Sequence, residues 1–441
     1  MENEIFNQSG NGEAGRADFR ILAEGHYALN NDLESRLNNN DLIIGGSGSG
    51  KTGGYVVPNL RCPYGSFLVM DTKGQLWKML APGLRRQGYE VRLLDFVEPE
   101  RSQGYNPLDY LRPVRDRKRL EHFNCRDITS LATLMVPDLE GDKDPFWRNN
   151  ARTVLTFLLS FTMEALPPEE RCLASVAELY RCISSQDSLK RMQLWCSMHP
   201  GSFTDRKYRM FAEVIRSDRT WACIEQFVAE ALDIYDLPEA APIFGSRKAC
   251  IDLHSIGRKK TAVFVNVSDT DRYADRMVSL FYSQAMQVLC RDADQMPDGR
   301  LPVPVRFLMD DFASSVYIEN FDRIISVIRS RNISASVILQ SLPQLETRYS
   351  HAQAQTIVTN CDHVLYLGGQ DLDTAEYIGN RVGRTADHVL LLPDDKAYLL
   401  VRGRRGEMVD RVTPYGIHAQ LQPQEPLPGP GAEEEFLCPG R

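Results

Sequence analysis

An α/β fold with a mainly parallel sheet is predicted by two features of this sequence. Short apolar runs of strand type alternate with segments whose apolar residues recur at helical spacing, and this order is typical of βαβ units. The runs, such as Phe-Leu-Val-Met at residues 67–70, are continuously apolar instead of alternating with polar residues. Continuous runs indicate strands that are buried on both faces of a parallel sheet.

The strand and helix signals fall into two groups along the chain. The first group has strands at 42–44, 67–70 and 91–96 and a helix at Gln75–Arg86. The second group has strands at 262–267, 305–309, 334–339 and 364–367, a helix at 272–291 and a closing hairpin of 398–401 with 407–412. Together the two groups predict one sheet domain that is built from 18–110 and 241–420.

The segment between the groups, residues 111–240, has helical spacing and no strand signal. About 130 residues exceed what a single crossover needs, so we interpret the segment as an inserted all-α domain. Ordinary crossover helices are the alternative. Residues 1–17 are rich in Asn, Gly and Glu and the tail at 421–441 in Pro, Gly and Glu, so both ends are expected to be disordered.

A phosphate-binding loop is predicted directly after the first strand. Its residues fit the pattern Gly-x-x-x-x-Gly-Lys-[Ser/Thr] without a mismatch: Gly45, Gly46, Ser47, Gly48, Ser49, Gly50, Lys51 and Thr52. Main-chain N–H groups wrap a polyphosphate closely only where no Cβ interferes, which explains the glycines. Lys51 would bring its charge to the outer phosphates and Thr52 its hydroxyl to Mg²⁺. A chance glycine-rich turn is the alternative, and the strand in front argues against it.

Composition and charge restrict how such a protein meets nucleic acid. Charged residues make up 25% and hydrophobic residues 43%, as in ordinary globular proteins. The net charge of -8 argues against coating of nucleic acid by bulk electrostatics, so DNA contact requires a local basic surface. The candidate residues for that surface are Arg258, Lys259, Lys260, Arg402, Arg404 and Arg405. Such clusters are more often simply solvated, and the same holds for the acidic run 433–435.

The cysteines and the apolar runs indicate a soluble, cytosolic chain. Ten cysteines occur without a C-x-x-C pair, as expected for reduced and mostly buried thiols. The first residues lack the apolar core of a signal peptide, and the longest apolar run, 154–163, is too short to span a bilayer.

The second half of a nucleotide site requires a carboxylate at the end of another strand, which holds Mg²⁺ and orients the attacking water. Asp310 and Asp311 follow the strand at 305–309 and are the best candidates, with Asp310 as the Mg²⁺ carboxylate and Asp311 as the water-positioning group. A strand-end Asp can instead cap the next helix. Asp71 and Asp269 also close strands, and either remains possible in the metal shell.

Two further polar residues are candidates for catalysis. Gln340 stands at the end of a strand, where ligands collect in open parallel sheets, and it can sense the γ-phosphate or make an ordinary turn hydrogen bond. Arg329 lies beside the apolar stripe formed by Phe321, Ile325 and Ile328. It is either an arginine finger that reaches a neighbouring subunit or one member of a surface ion pair, which is the commoner outcome.

With these residues assembled, the chain resembles the coupling-protein ATPases of type IV secretion and conjugation, particularly those of Gram-positive mobile elements. The matching stretches run in family order and are 38–52, 70–74, Tyr105-Asn106-Pro107-Leu108, Asp144-Pro145-Phe146-Trp147, 307–312 and Leu339-Gln340-Ser341. They are distributed over roughly residues 35 to 410, so the resemblance covers most of the chain.

The resemblance implies a RecA-like P-loop NTPase domain with an all-α domain, ATP and Mg²⁺ as cofactors, and a ring that is a homo-hexamer. It also implies ATP-driven passage of single-stranded DNA with its attached relaxase to a secretion channel, with relaxosome and channel proteins as partners. The family's metal-binding and acidic pair falls on Asp310 and Asp311, its arginine finger on Arg329 and its sensor glutamine on Gln340.

The sequence departs from the family pattern in two respects. Most members begin with transmembrane helices and this chain shows none, so we expect a peripheral location at the cytoplasmic face of the membrane, with contact only through a partner. The residue after the metal-binding Asp is usually Glu, and Asp311 is shorter by one bond, on the order of 1.5 Å. A displacement near 1 Å can cost about a hundredfold in rate, which predicts slow hydrolysis in the isolated protein.

Three functions are compatible with this sequence. The leading hypothesis is an ATPase motor that couples a DNA substrate to a secretion pore. A nucleotide-gated receptor, which serves as a docking platform with little or no hydrolysis, is favoured by the short Asp311 together with the lack of a transmembrane segment in this sequence. A DNA translocase of chromosome partition or repair with the same core is disfavoured by the family-specific stretches outside the loop.

Overall fold

The structure is a computed structural model, and it describes residues 19–115, 121–138, 145–245 and 250–413. The disorder predicted for 1–17 and 421–441, the helix-start residue Asp144 and the acidic run 433–435 lie outside these residues.

Most of the strands assemble into one central sheet. The strands are β1 Phe19–Ala23, β2 His26–Leu29, β3 Asp41–Ile44, β4 Ser66–Asp71, β5 Glu90–Asp95, β6 Pro113–Arg115, β7 Glu121–Phe123, β8 Thr261–Asn266, β9 Val305–Met309, β10 Ile333–Leu339, β11 His363–Tyr366, β12 Lys396–Val401 and β13 Glu407–Asp410. Among the described residues, nine strands form this sheet in the order β13-β12-β11-β3-β10-β9-β4-β8-β5. From β11 to β5 every neighbouring pair is parallel, while β12 and β13 pair antiparallel as the predicted hairpin. The mainly parallel sheet is therefore confirmed.

The helices cover the sheet and fill the interval between β5 and β8. They are α1 Asp32–Ser35, α2 Val57–Arg61, α3 Gln75–Arg86, α4 Cys125–Met135, α5 Phe146–Ala165, α6 Leu173–Arg181, α7 Gln186–Met198, α8 Phe203–Ile215, α9 Asp218–Leu232, α10 Ala241–Phe244, α11 Leu253–Ile256, α12 Asp275–Asp294, α13 Phe312–Ser315, α14 Phe321–Val327, α15 Pro343–Glu346, α16 His351–Thr359, α17 Leu372–Val382 and α18 Ala386–Leu390. A π-helical turn, Thr52–Val56, precedes α2, and a 3₁₀ turn, Ile328–Arg331, follows α14.

Some predicted elements differ from the observed ones. Helix α12 begins and ends three residues later than the predicted helix at 272–291. The segment 111–240 is mainly helical, but β6 and β7 pair antiparallel within it, and β1 and β2 form a hairpin that the sequence did not predict. The strands of these two hairpins include polar residues such as Arg20, His26 and Glu121, so they lack the continuous apolar run that predicted the other strands.

The sheet is buried on both faces, as its continuously apolar strands predict. Leu42 and Ile44 pack into the larger core on one face, together with the helices between β5 and β8. Ile43 points into a smaller core on the other face, which β1, α2 and α3 cover. Because alternate side chains of a strand point to opposite faces, both faces of β3 require apolar residues.

A buried ionic cluster fixes the amino end of β3. The Asp41 carboxylate is fully buried, accepts hydrogen bonds from Arg20 at 2.7 and 2.9 Å and from the Tyr55 hydroxyl at 2.5 Å, and pairs with Arg306 at 3.2 Å. Burial by itself raises the pKa of Asp41, but Arg20, His363 and Arg306 outweigh it and hold that pKa far below its usual range. Since Tyr55 lies on the π-helical turn, the cluster also fixes the segment that follows the phosphate loop.

Candidate nucleotide-binding site

The loop at residues 45–52 leaves β3 at the carboxyl edge of the sheet and is tied to the strands on either side. The Gly45 N–H donates to the carbonyl of Leu339, the last residue of β10, at 3.0 Å. The Gly46 N–H donates to the carbonyl of Gly368, just after β11, at 2.9 Å. The loop therefore has a fixed base between two neighbouring strands.

The glycines are required by the shape of the loop. Gly48 and Gly50 have φ of +77° and +84°, in the left-handed region that glycine adopts without strain. A Cβ on Gly45 would lie 2.3 Å from the Ser49 hydroxyl oxygen, well inside contact distance. The loop thus forms a close-fitting main-chain cradle.

Lys51 and Thr52 stand where the loop passes into the helix. The Lys51 ammonium is buried and donates to the carbonyls of Gly45 at 2.7 Å and Gly46 at 3.1 Å. The Thr52 hydroxyl donates to Oδ2 of Asp310 at 2.6 Å. This bond brings together two residues that lie 258 positions apart in the chain.

Asp310 follows β9 and is a buried carboxylate with an unused oxygen. Its Oδ1 is buried and has no hydrogen-bond partner among the described residues. Burial raises the pKa of Asp310 to about 6; the Thr52 bond acts in the opposite direction, and the neighbouring Asp311 adds to the increase. Leaving such an oxygen unsatisfied costs free energy, and a cation would remove that cost.

Asp311 and Gln340 also meet at this edge. The Gln340 side-chain amide donates to Oδ1 of Asp311 at 3.4 Å. Asp311 has φ of +49°, a left-handed conformation that Asp tolerates better than most residues. The two candidate residues therefore contact each other at the ends of the adjacent strands β9 and β10, beside the contact between Thr52 and Asp310.

Gln344 is a site residue that the sequence did not reveal. Its side-chain oxygen accepts the Gln340 N–H at 3.0 Å, and its side-chain amide donates to the Ser314 hydroxyl at 2.7 Å. It thereby joins the segment after β10 to the segment after β9. A glutamine four positions beyond a strand end has no distinguishing signal in a single sequence.

The arrangement is suitable for Mg²⁺ and a polyphosphate. Among the described residues, no group of three His, Cys, Asp or Glu side chains is assembled for a metal. Thr52 and Asp310 supply two oxygens, and Mg²⁺ ordinarily takes its other ligands from water and substrate phosphates. The orphan Oδ1 of Asp310 and the close main-chain cradle are the two observations that fit such a ligand.

Comparison with known proteins identifies the family. Residues 16–389 match the family model described as conjugative DNA transfer of the type IV secretory system. The chain belongs to this family.

Curated relatives in the conjugative DNA transfer family include VirD4 and TraG proteins. The chain is 22% identical to "Protein VirD4" of Rhizobium rhizogenes over 397 residues, which are 85% of this chain and 55% of the relative. It is 25% identical to "Conjugal transfer protein TraG" of Escherichia coli over 374 residues, which are 76% of this chain and 54% of the relative. The chain thus spans about half the length of these curated relatives.

Solved structures of the coupling protein TrwB have the same fold. The unbound form of the conjugative coupling protein TrwBdeltaN70 superposes with a TM-score of 0.64 at 15% identity, covering 90% of this chain and 89% of that one. TrwB in complex with ADP and Mg²⁺ gives 0.62 at 16% identity, covering 85% of both chains. The prediction of a RecA-like P-loop fold is confirmed, and the described part of its inserted segment is mainly helical.

Arg329 does not join the loop residues of its own chain. It lies in the 3₁₀ turn before β10, whereas Gln340 follows β10, so a seven-residue strand of roughly 20 Å separates them. Its guanidinium pairs with Asp32 at 3.3 Å and donates to the Asp32 carbonyl at 3.0 Å, and Arg300 shares the same carboxylate at 2.5 Å. The ion-pair alternative is therefore observed, and action on a neighbouring subunit stays a prediction.

The other strand-end aspartates have different surroundings. The Asp71 carboxylate accepts hydrogen bonds from the N–H groups of Gln75 at 3.2 Å and Trp77 at 2.9 Å, so it caps the start of α3. Burial raises the pKa of Asp71 against these bonds. Asp269 is exposed in the segment after β8. Of the aspartates considered for the metal shell, Asp310 is the one in contact with Thr52.

The candidate DNA-binding residues lie at the opposite edge of the sheet. Residues 258–260 precede β8 and residues 402–405 join β12 to β13, so both clusters lie where the parallel strands begin. All of their Arg and Lys residues are exposed, while Arg402 also pairs with Asp362 at 3.3 Å. This is the edge where Arg329 lies.

A cavity of about 920 Å³ opens beside the phosphate loop, on the side of β11. Its walls include the loop itself, Leu390, Leu392, Asp394 and Arg411. The volume lies in the range of small-molecule sites, and the two leucines offer an apolar surface close to the phosphate cradle.

Proposed function

We propose that the chain is an ATP-dependent coupling protein of conjugative DNA transfer. ATP hydrolysis in this protein drives single-stranded DNA, with its attached relaxase, into a type IV secretion channel. The contact between Thr52 and Asp310 carries the proposal. In a chain of this family, it joins the phosphate loop to a strand-end carboxylate, the two halves that a hydrolytic Mg²⁺ site requires.

The ligand is ATP with Mg²⁺. Structures of the similar TrwB are described as complexes with ADP and Mg²⁺ and with a non-hydrolysable ATP analogue. In this chain the amides of Ser47, Gly48 and Gly50 surround the phosphates, Lys51 brings its charge to them, and Thr52 and Asp310 hold the metal ion. Bound Mg²⁺ neutralises part of the phosphate charge.

The remaining candidates have roles in turnover. Asp311 orients the attacking water. Gln340 senses whether a γ-phosphate is bound, through its hydrogen bond to Asp311. Arg329 acts on the nucleotide of the next subunit in a homo-hexamer. Its position at the amino edge, remote from the loop of its own chain, supports action between subunits.

Membership of the conjugative DNA transfer family supports the proposed transfer substrate and partners. Single-stranded DNA contacts the basic residues at the amino edge of the sheet, and relaxosome and channel proteins bind the same assembly. The assembly works at the cytoplasmic face of the membrane. Among the described residues, no helix is both long enough and apolar enough to cross a bilayer.

A receptor with little hydrolysis is the second candidate, and Asp311 favours it. The side chain is short for its position and is engaged by Gln340, so a water molecule must compete with that amide. In this alternative, ATP binding organises a docking platform and the chemical step is dispensable.

ATPase rates with and without single-stranded DNA distinguish the two functions. A motor is expected to hydrolyse ATP faster when single-stranded DNA is added, and Lys51→Ala is expected to abolish both rates. A receptor binds ATP but its residual rate does not respond to DNA. Wild-type protein that binds no ATP would contradict both proposals.

A further inference from the structure

Arg411, the residue after β13, connects three separate segments at the phosphate loop. Its guanidinium donates to the carbonyls of Ser49 at 3.1 Å, Leu367 at 2.5 Å and Lys396 at 2.6 Å. These acceptors lie on the tip of the loop, just after β11 and at the start of β12. The fork-like arrangement of guanidinium N–H groups permits all three bonds from a single side chain.

The Arg411 guanidinium is a cation whose hydrogen bonds all go to neutral acceptors. Burial lowers the pKa of Arg411, and the carboxylates of Asp394 and Asp395 act against that shift. An arginine nevertheless stays protonated in proteins. Its positive charge therefore lies at the wall of the cavity beside the loop, which Asp394 and Asp395 also line.

The bond to Ser49 determines how one peptide group of the loop is turned. In a planar trans peptide the C=O and the following N–H point in opposite directions. The Ser49 carbonyl faces Arg411, so the Gly50 N–H points away from Arg411. Gly50 has φ of +84°, which glycine adopts without strain.

We infer that Arg411 is a positioning residue for phosphate binding. It holds the Ser49–Gly50 peptide so that the Gly50 N–H is directed at the phosphates before the ligand arrives. It also couples the loop to the hairpin of β12 and β13 through the Lys396 carbonyl. This inference rests on the proposed nucleotide site and adds to it a residue that lies 361 positions beyond Gly50.

A structural clamp is the simpler explanation, and it predicts different results. The main-chain N–H of Arg411 also donates to the Asp395 carbonyl at 2.9 Å, so the residue contributes to the hairpin in any case. If Arg411 only held these segments together, loss of the guanidinium would lower the melting temperature. Phosphate affinity measured well below that temperature would be unchanged.

The test measures binding of inorganic tripolyphosphate and of ATP, by competition with a fluorescent ATP analogue well below the melting temperature. The variants are Arg411→Lys, which keeps the positive charge without the fork-like guanidinium N–H groups, and Arg411→Ala. Both are expected to weaken tripolyphosphate binding on the order of tenfold and ATP binding by the same factor, since the change affects the phosphate cradle. Methylguanidinium should restore the affinity of Arg411→Ala, whereas methylammonium should not.

Arg92→Lys and Arg92→Ala are the matched controls. Arg92 is a partly exposed arginine on β5, at the far end of the sheet, and pairs with Glu90. Its variants should bind tripolyphosphate like the wild type.

Unchanged affinity in both Arg411 variants, or equal rescue by methylammonium, would overturn the inference and leave the ATPase proposal intact. Wild-type protein that binds neither ligand would overturn both; if Arg411→Ala does not fold, Arg411→Lys decides.

Discussion

The Thr52 hydroxyl donates a 2.6 Å hydrogen bond to the Asp310 carboxylate, which joins the end of the phosphate loop to the end of β9. The remaining Asp310 oxygen is buried without a partner among the described residues. The two side chains form a pair in which each determines where the other can present an oxygen to a metal ion. The first prediction concerns this coupling.

The losses of nucleotide affinity caused by Thr52→Ala and Asp310→Ala in the presence of Mg²⁺ should not be additive. Each single substitution removes one metal-directed oxygen and also the bond between the two residues. The double variant should therefore lose less affinity than the sum of the single losses, with a coupling of about 0.5–3 kcal/mol. Isothermal titration with Mg²⁺ and an ATP analogue measures it, and strict additivity would show that the pair is not coupled.

Magnesium affinity should fall as the pH falls through about 6. Burial raises the pKa of Asp310 to about 6, so below that pH the carboxyl is increasingly protonated, and a proton competes with the metal ion. Mg²⁺ titrations of the nucleotide-bound protein between pH 5.5 and 7.5 would show the trend. Asp310→Asn should bind Mg²⁺ more weakly, and its Mg²⁺ affinity should no longer depend on pH in this range. An unchanged pH dependence in the variant would show that another group titrates.

Asp311→Glu should raise the rate of ATP hydrolysis. The longer side chain extends the carboxylate by about one bond, on the order of 1.5 Å, toward the position that the family pattern favours. Because errors near 1 Å can cost about a hundredfold in rate, a clear increase in kcat is expected. Steady-state ATPase assays compare the variant with wild type. A variant that is no faster would count against the explanation by side-chain length and in favour of the receptor.

Arg329→Ala should bind ATP normally and lose hydrolysis. An arginine finger supplied by a neighbour contributes about 10³ to 10⁵ in turnover without contacting the nucleotide of its own chain. Mixing Arg329→Ala with Lys51→Ala should restore part of the activity, since mixed rings contain sites with an intact loop and an intact finger. Arg331→Ala, a neighbour that pairs with Asp294 at 2.8 Å, is the control. Unchanged turnover of Arg329→Ala would remove the role between subunits.

Asp41→Asn should destabilise the fold at neutral pH. The substitution leaves Arg20 and Arg306 buried without their shared carboxylate, and breaking a buried ion pair in this way costs about 3–5 kcal/mol. Because the pKa of Asp41 is lowered in the folded state, its stabilisation is present above the unfolded pKa of about 3.9 and declines as the pH falls below it.

Chemical denaturation at pH 7 and at pH 3.5 measures the effect of this substitution. The difference between Asp41→Asn and wild type should be smaller at the lower pH. Asp187→Asn, at a side chain that is 87% exposed, should match wild type at both pH values. Equal stability of Asp41→Asn and wild type at pH 7 would contradict the importance of the cluster.

The sequence by itself determined the phosphate loop, the α/β class and the strand ends that carry polar residues. These features depend on local pattern: glycines where a Cβ would collide with Ser49, continuous apolar runs for strands buried on both faces, and acidic or amide side chains where such runs stop. The antiparallel pair of β12 and β13 was also visible locally, because its two strands are adjacent in the chain.

Only the tertiary structure decided which strand ends meet. Asp71, Asp269 and Asp310 all follow strands, and the order of strands in the sheet places Asp310 against Thr52 while Asp71 turns to cap α3. The same order puts Arg329 at the opposite edge beside Asp32 and brings Arg411 to the loop. Neighbour relations in a sheet depend on long-range packing, which the period of a side-chain pattern does not encode.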